Sequence, residues 1–181
     1  MQDVLIPAIW RGEELADRIA SLAASARAQG VPVVAIQQTG PANTPFDPEQ
    51  PGWQLSARLA MQDGDLRVRK TATDSFFRTD LAPLLAARDA DTVVLTGVAT
   101  DYCVDATARS ALSKGLNVDL VIDGHAPAAV GDRQAGLSPE QIVAHHNAIL
   151  SHAIHPGGQL RLVSANEVFS DREPDARLNT R

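Results

Sequence analysis

The chain has 181 residues, 44% of them apolar, and a net charge of −6 from 16 Lys and Arg against 22 Asp and Glu. That length and apolar content fit one domain whose core needs neither disulfides nor metals. The acidic balance gives no basic footprint for a phosphate backbone, no apolar run nears the roughly 20 residues that cross a bilayer, and no secretory leader is evident. Nucleic acid and membrane are therefore not expected partners, and the cytoplasm is the expected compartment.

Over residues 13–29, Leu15, Ile19, Leu22 and Ala26 recur at helical spacing and Gly30 follows as a stop, which predicts a helix. The next run, "VPVVAIQ" (residues 31–37), is the continuous β-branched type of a strand buried on both faces. Residues 39–52 hold four prolines and two glycines and predict a long excursion loop. In "LRVRKT", alternation puts Leu66, Val68 and Lys70 on one face and Arg67 and Arg69 on the other, so Lys70 is expected to point inward.

"RTDLAPLLAARDA" reads as a helix opened by Thr79 and Asp80, with Pro83 in its first turn. "TVVLTG" is a buried strand, residues 101–114 a helix ended by Gly115, and "NVDLVID" the next strand. Ser138, Pro139 and Glu140 start a helix that runs to about Ala153, before "QLRLVSA" gives a last strand. Strands alternating with helices over short links predict an α/β fold: a doubly wound, mostly parallel sheet with helices on both faces. A single domain is expected over residues 1–169, followed by a polar tail over residues 170–181.

The lone cysteine, Cys103, falls at the transition from a strand to a helix, where unpaired N–H groups and the positive dipole end favour a thiolate. A small buried hydrophobe is the competing role. Lys70, carried inward on a short strand, is the candidate to hold that thiolate by charge; a lysine whose head reaches water is the alternative. Phe76, Phe77 and Tyr102 flank these two residues and are candidates for a pocket wall, with core packing the other role for the phenylalanines. Trp53 reads either as a cap on the pocket or as part of a subunit interface. "AHHNAIL" raises a rival Cys–His–Asn arrangement, but His146 lies in the helix stripe of Ile142, Ile149 and Leu150, which favours packing. His125 is expected at the pocket rim, and His152 and His155 at the surface.

Three stretches resemble the isochorismatase-like cysteine hydrolases, the family that includes nicotinamidases, N-carbamoylsarcosine amidases and streptothricin hydrolase. "RKTATDSFFRTDL" (residues 69–81) is similar to the family's lysine motif. "VVLTGVATDYCVDATARSALSKG" (residues 93–115) is similar to its nucleophile motif, Leu-x-Gly-x-x-Thr-x-x-Cys-Val, at every marked position. "MQDVL" resembles the segment just after the family's first strand. The ending "HHNAIL…HPGG…LVSANEVF" is closer to streptothricin hydrolase-type members than to nicotinamidases.

The resemblance implies an isochorismatase-like three-layer sandwich in which Cys103 attacks an amide or related carbonyl with the help of Lys70 and an Asp. It implies a cis peptide at Val98–Ala99 that aims the N–H groups of Ala99 and Cys103 at the developing oxyanion. It also implies a homo-oligomer, dimer or tetramer. Where nicotinamidases carry an Asp-x-His cluster this chain reads Gln37 and Gln38, poor zinc ligands, so no metal, no cofactor and no nicotinamide substrate are expected. Vinyl-ether hydrolysis of isochorismate uses no cysteine nucleophile, and Cys103 argues against that branch.

The family's first central strand and its aspartate have no counterpart in this chain: that acid would fall one position before Met1. Two expectations follow. Either the strand and its Asp precede Met1, or the chain is a catalytically impaired member serving as a small-molecule binding or assembly protein, with Asp3 an imperfect substitute acid.

Overall fold

The structure is a computed structural model that describes residues 1–132, 135–155 and 157–169. The expected polar tail over residues 170–181 lies outside them. Among the described residues there are five strands, β1 (Val34–Gln38), β2 (Leu66–Lys70), β3 (Thr92–Val98), β4 (Asn117–Ala126) and β5 (Leu160–Val163); helix α1 (Gly12–Ala28) precedes β1, and α2 (Leu81–Ala86), α3 (Asp105–Ser113) and α4 (Pro139–His152) separate successive strands from β2 onward. Every ladder between these strands is parallel.

Helix boundaries follow local chemistry. α4 opens on a capping box in which the Ser138 side chain and Gln141 satisfy each other's backbone N–H, with Pro139 at the first helical position. α1 opens on Gly12, where a Cβ would meet the Ile6 carbonyl oxygen at 2.1 Å, so only glycine fits against the preceding 3₁₀ turn. The first strand begins at Val34, three residues later than the β-branched run suggests, because Pro32 lacks the N–H a ladder needs. α2 is shorter than expected: it stops at Ala86, and Asp89 turns left-handed with φ 49°.

Alternation along the strands sorts the core into two faces. Val93 and Leu95 of β3 and Val118 and Leu120 of β4 pack with Val104, Ala108, Ala111 and Leu112 around α3 and with Leu150 of α4. Val94 and Val121 point the other way, onto Leu22 of α1 with Val163 and Val168. Helices thus cover both faces of a parallel α/β layer, as the pattern of elements predicts.

The layer is divided. β1 and β2 form one sheet, β3, β4 and β5 another, and no ladder joins β1 to β3 among the described residues. The apolar cluster around α3 spans the division, taking Val34, Ile36 and Val68 from one sheet and Val93, Leu95 and Leu120 from the other. At the end of β1, the Gln2 side chain acts in place of a strand neighbour. Its Nε2 donates to the Gln38 and Trp53 carbonyls, at 3.0 and 2.8 Å, and its Oε1 accepts from Gln38 N–H at 2.9 Å. The division into two sheets, and the plug that Gln2 makes at the end of β1, do not follow from the local sequence pattern.

Candidate active site

Both residues with chemical potential lie at the carboxyl ends of strands, where ligands of parallel α/β layers bind. Lys70 is the last residue of β2. It is buried beside Val68 while Arg67 and Arg69 face out, as the alternation requires. Its Nζ donates to the carbonyl oxygens of Ala72 and Thr73, at 3.0 and 2.7 Å, so the buried ammonium is satisfied by the loop it opens. Among the described residues none of its hydrogen bonds reaches Cys103 Sγ.

Cys103 lies in a π-helical turn, Thr100–Val104, between β3 and α3, and its side chain is half-buried rather than sealed in the core. The chain enters that turn through a bulge. The β3–β4 register shifts between Leu95 and Gly97, and Gly97 takes φ 124°, a left-handed value that side chains rarely adopt. The Val98–Ala99 peptide is cis. The Ala99 carbonyl then accepts from the N–H groups of both Tyr102 and Val104, at 3.1 Å each, folding the turn back onto the strand end.

The lysine and cysteine segments are clamped together. Ser75 lies five residues after Lys70 and Thr107 four after Cys103. Their hydroxyls lie 2.9 Å apart, and Ser75 N–H donates to Thr107 Oγ1 at 3.2 Å. Phe76 and Val104 share the same buried cluster. Two buried polar atoms near these strand ends take no hydrogen bond among the described residues: Thr39 Oγ1 after β1 and Asp101 Oδ1 in the cysteine turn.

The aromatic candidates separate. Phe76 is core, with the Lys114 ammonium over its ring, which is the packing role of its two alternatives. Phe77 is 50% exposed under the Arg78 guanidinium, and Tyr102 is 63% exposed beside Cys103. Trp53 is buried, its indole N–H donating to the Gln38 carbonyl at 2.9 Å with the Arg69 guanidinium stacked over the ring. It therefore seals the end of β1. Gln37 donates to the Trp53 carbonyl and Gln38 to the Thr39 carbonyl, so both amides are committed to the backbone. Among the described residues, no three His, Cys, Asp or Glu side chains gather where they could hold a metal ion.

Asp3, the imperfect substitute acid of the second expectation, is placed at the surface. It is exposed in the 3₁₀ turn Asp3–Ala8, on a surface cleft of about 500 Å³ shared with Arg11 and Arg58. A larger cleft of about 730 Å³ lies between α1 and Phe169. Neither cleft includes Cys103 or Lys70.

His125 departs furthest from expectation. It is not at a rim but 3% exposed, between Thr100 (Oγ1 to Nδ1, 2.9 Å) and Asn147 (Nε2 to Oδ1, 3.0 Å). Burial pushes its pKa down to about 4, against smaller opposing contributions from Asn147 and Asp123. His146 bonds to the Ile142 carbonyl of its own helix, His145 is exposed and stands edge-on to it, and His152 bonds to the Ala148 carbonyl. None of these three is hydrogen-bonded to Cys103 among the described residues.

A parallel α/β layer with a cysteine turn just past its strand ends defines the class of protein, and comparison with known proteins gives the family. The isochorismatase domain matches residues 1–151. A streptothricin hydrolase of Streptomyces noursei is 33% identical over 167 residues, covering 81% of this chain and 66% of that protein. A maleamate amidohydrolase of Pseudomonas putida KT2440 is 39% identical over 77 residues, covering 42% of this chain and 34% of that one. The crystal structure of an isochorismatase-type protein from Burkholderia xenovorans LB400 superposes with a TM-score of 0.74 at 31% identity, covering 84% of this chain and 71% of the other. The chain belongs to the isochorismatase family. It spans less than two thirds of the length of the curated relatives it matches. No helix among the described residues is long and apolar enough to cross a membrane.

Proposed function

We propose that this chain is a metal-independent cysteine hydrolase that cleaves a C–N bond of a small amide, cyclic amides included. Cys103 Sγ adds to the carbonyl carbon, and the N–H groups of Ala99 and Cys103 receive the oxyanion. As the tetrahedral centre collapses, the C–N bond breaks and the thiol proton departs with the amine. Water then adds to the thioester, the C–S bond breaks, and the carboxylic acid leaves as the thiol is restored. Lys70 supports the thiolate by charge.

The observation that carries this reading is the clamp between Ser75 and Thr107, which joins the loop opened by Lys70 to the helix that follows Cys103. The named activities of the streptothricin hydrolase and the maleamate amidohydrolase agree with a C–N bond as the target. The commitment of Gln37 and Gln38 to backbone carbonyls agrees with chemistry that uses no metal. This reading does not use Asp3 as the proton acceptor for the thiol, since its side chain is exposed.

The test is selective alkylation of Cys103 with iodoacetamide at neutral pH, followed by mass spectrometry, alongside hydrolysis of a panel of small linear and cyclic amides. Alkylation faster than that of glutathione, with amide turnover lost in Cys103→Ala, supports the hydrolase. Alkylation no faster than glutathione, with no turnover, supports a binding or assembly protein instead.

A further inference from the structure

The chemistry just described uses Cys103 and Lys70 and leaves one buried polar chain beside the cysteine turn without a role. Thr100 is the first residue of that turn and is 1% exposed; His125 lies at the end of β4. Gly97 pairs with His125 and Val98 with Ala126, so the imidazole sits level with the strand end from which the turn departs. Asn147 reaches it from α4, which also packs on the turn. One ring therefore ties three elements together at the base of the segment that carries the sulfur.

The direction of these bonds follows from donor and acceptor chemistry. An amide oxygen only accepts, so Asn147 Oδ1 fixes the proton of His125 on Nε2. Nδ1 is then a lone pair, and the Thr100 hydroxyl donates to it. Ala99, which precedes the turn, offers it no side-chain cap. Burial keeps the ring neutral, which this arrangement requires; the groups that act on its charge are Asp123 of its own strand and His146 of α4.

We propose that Asn147, His125 and Thr100 form a positioning device for Cys103. Asn147 fixes the tautomer of His125, and His125 holds the first residue of the turn in the rotation that presents the sulfur. None of the three touches substrate. The proposal rests on the cysteine chemistry described above, and its test does not need a substrate.

The experiment measures the rate of Cys103 alkylation by iodoacetamide across pH on the full chain, for wild type, Thr100→Val, His125→Gln, His125→Asn and Asn147→Ala. Thermal melting of each variant is recorded in parallel. The asparagine amide stands where Nδ1 was and keeps an acceptor for Thr100; the glutamine amide reaches only the Nε2 position. Displacing a reactive atom by a fraction of an ångström to one ångström costs about tenfold to a hundredfold. Thr100→Val and His125→Gln are therefore expected to alkylate about tenfold slower, with a displaced pH profile, and His125→Asn to recover most of the wild-type rate. Asn147→Ala, on a half-buried helix position, carries the test if the His125 variants fail to fold, and is expected to slow the reaction and add a pH dependence that wild type lacks.

Variants that melt earlier yet keep the wild-type rate and pH profile overturn the proposal and leave the chain of bonds a packing feature. A wild-type rate no greater than that of glutathione overturns the cysteine reading itself, and the positioning proposal with it.

Discussion

The hydroxyls of Ser75 and Thr107 lie 2.9 Å apart in the interior, linking the loop after β2 to α3. A buried pair of this kind contributes most when one member is removed, because the other is left without a partner. Thr107→Val keeps the shape and deletes the hydroxyl, stranding both the Ser75 side chain and its N–H. The expected loss is about 1–3 kcal/mol in a urea titration, together with slower alkylation of Cys103. Thr107→Ser keeps the oxygen and is expected to retain most of both. An unchanged urea midpoint for Thr107→Val would show that the clamp is not a clamp.

Lys70 offers a second check. Its ammonium serves the Ala72 and Thr73 carbonyls, so Lys70→Met removes two hydrogen bonds as well as the charge. Stability is expected to fall by about 1–3 kcal/mol from the orphaned carbonyls. Alkylation of Cys103 at neutral pH is expected to slow by roughly tenfold or more as the supporting cation is lost. Wild-type alkylation in a destabilised Lys70→Met protein would assign the lysine to the loop and not to the sulfur.

Gln2 makes three hydrogen bonds from a buried side chain, two of them to the backbone of Gln38. Gln2→Leu fills similar space and satisfies none of them, with an expected cost of about 2–3 kcal/mol. Amide hydrogen exchange gives the local readout: the Gln38 N–H is expected to exchange faster in the variant, while amides of the β4–β5 ladder slow or speed only with global stability. Unchanged protection at Gln38 would mean that another group takes over the edge.

The pH dependence of folding has a sign fixed by His125. Its pKa is about 4 when folded, against the ordinary 6.5, because burial disfavours the imidazolium. Between those values the unfolded chain binds the proton and the folded chain does not, so stability falls as pH is lowered from about 6.5 toward 4. The slope approaches about 1.4 kcal/mol per pH unit, and the effect is absent above about pH 7.5. Urea titrations between about pH 5 and 7 should show this slope in wild type and not in His125→Asn. An identical slope in the variant would place the titration elsewhere.

Much of the fold was readable because its elements obey simple periods. The inward Lys70 follows from two-residue alternation in "LRVRK", and α4 from Ser138, Pro139 and the Ile142 to Leu150 stripe. Cys103 stood out as a lone sulfur between a β-branched run and a helix, a local signal needing no tertiary information. The surroundings of the site were less legible because they depend on contacts far apart in the chain. Thr100 meets His125 across 25 residues, and His125 meets Asn147 across 22, through a parallel pairing whose bulge no periodicity announces. Trp53 and Gln2 likewise gain their roles only through bonds to the Gln38 carbonyl across 15 and 36 residues. Phe76 and Phe77 are adjacent in sequence, and only the packed structure decides that one is core and the other faces solvent.

Because α3 is wedged against both sheets, its smallest side chains regulate their spacing. Ala108 and Ala111 have no exposed surface, and a larger residue at either has no void to enter. The added volume would instead push the lysine-bearing half away from the cysteine-bearing half. On the proposed function, reactivity at the sulfur would be coupled to the girth of the helix that follows it.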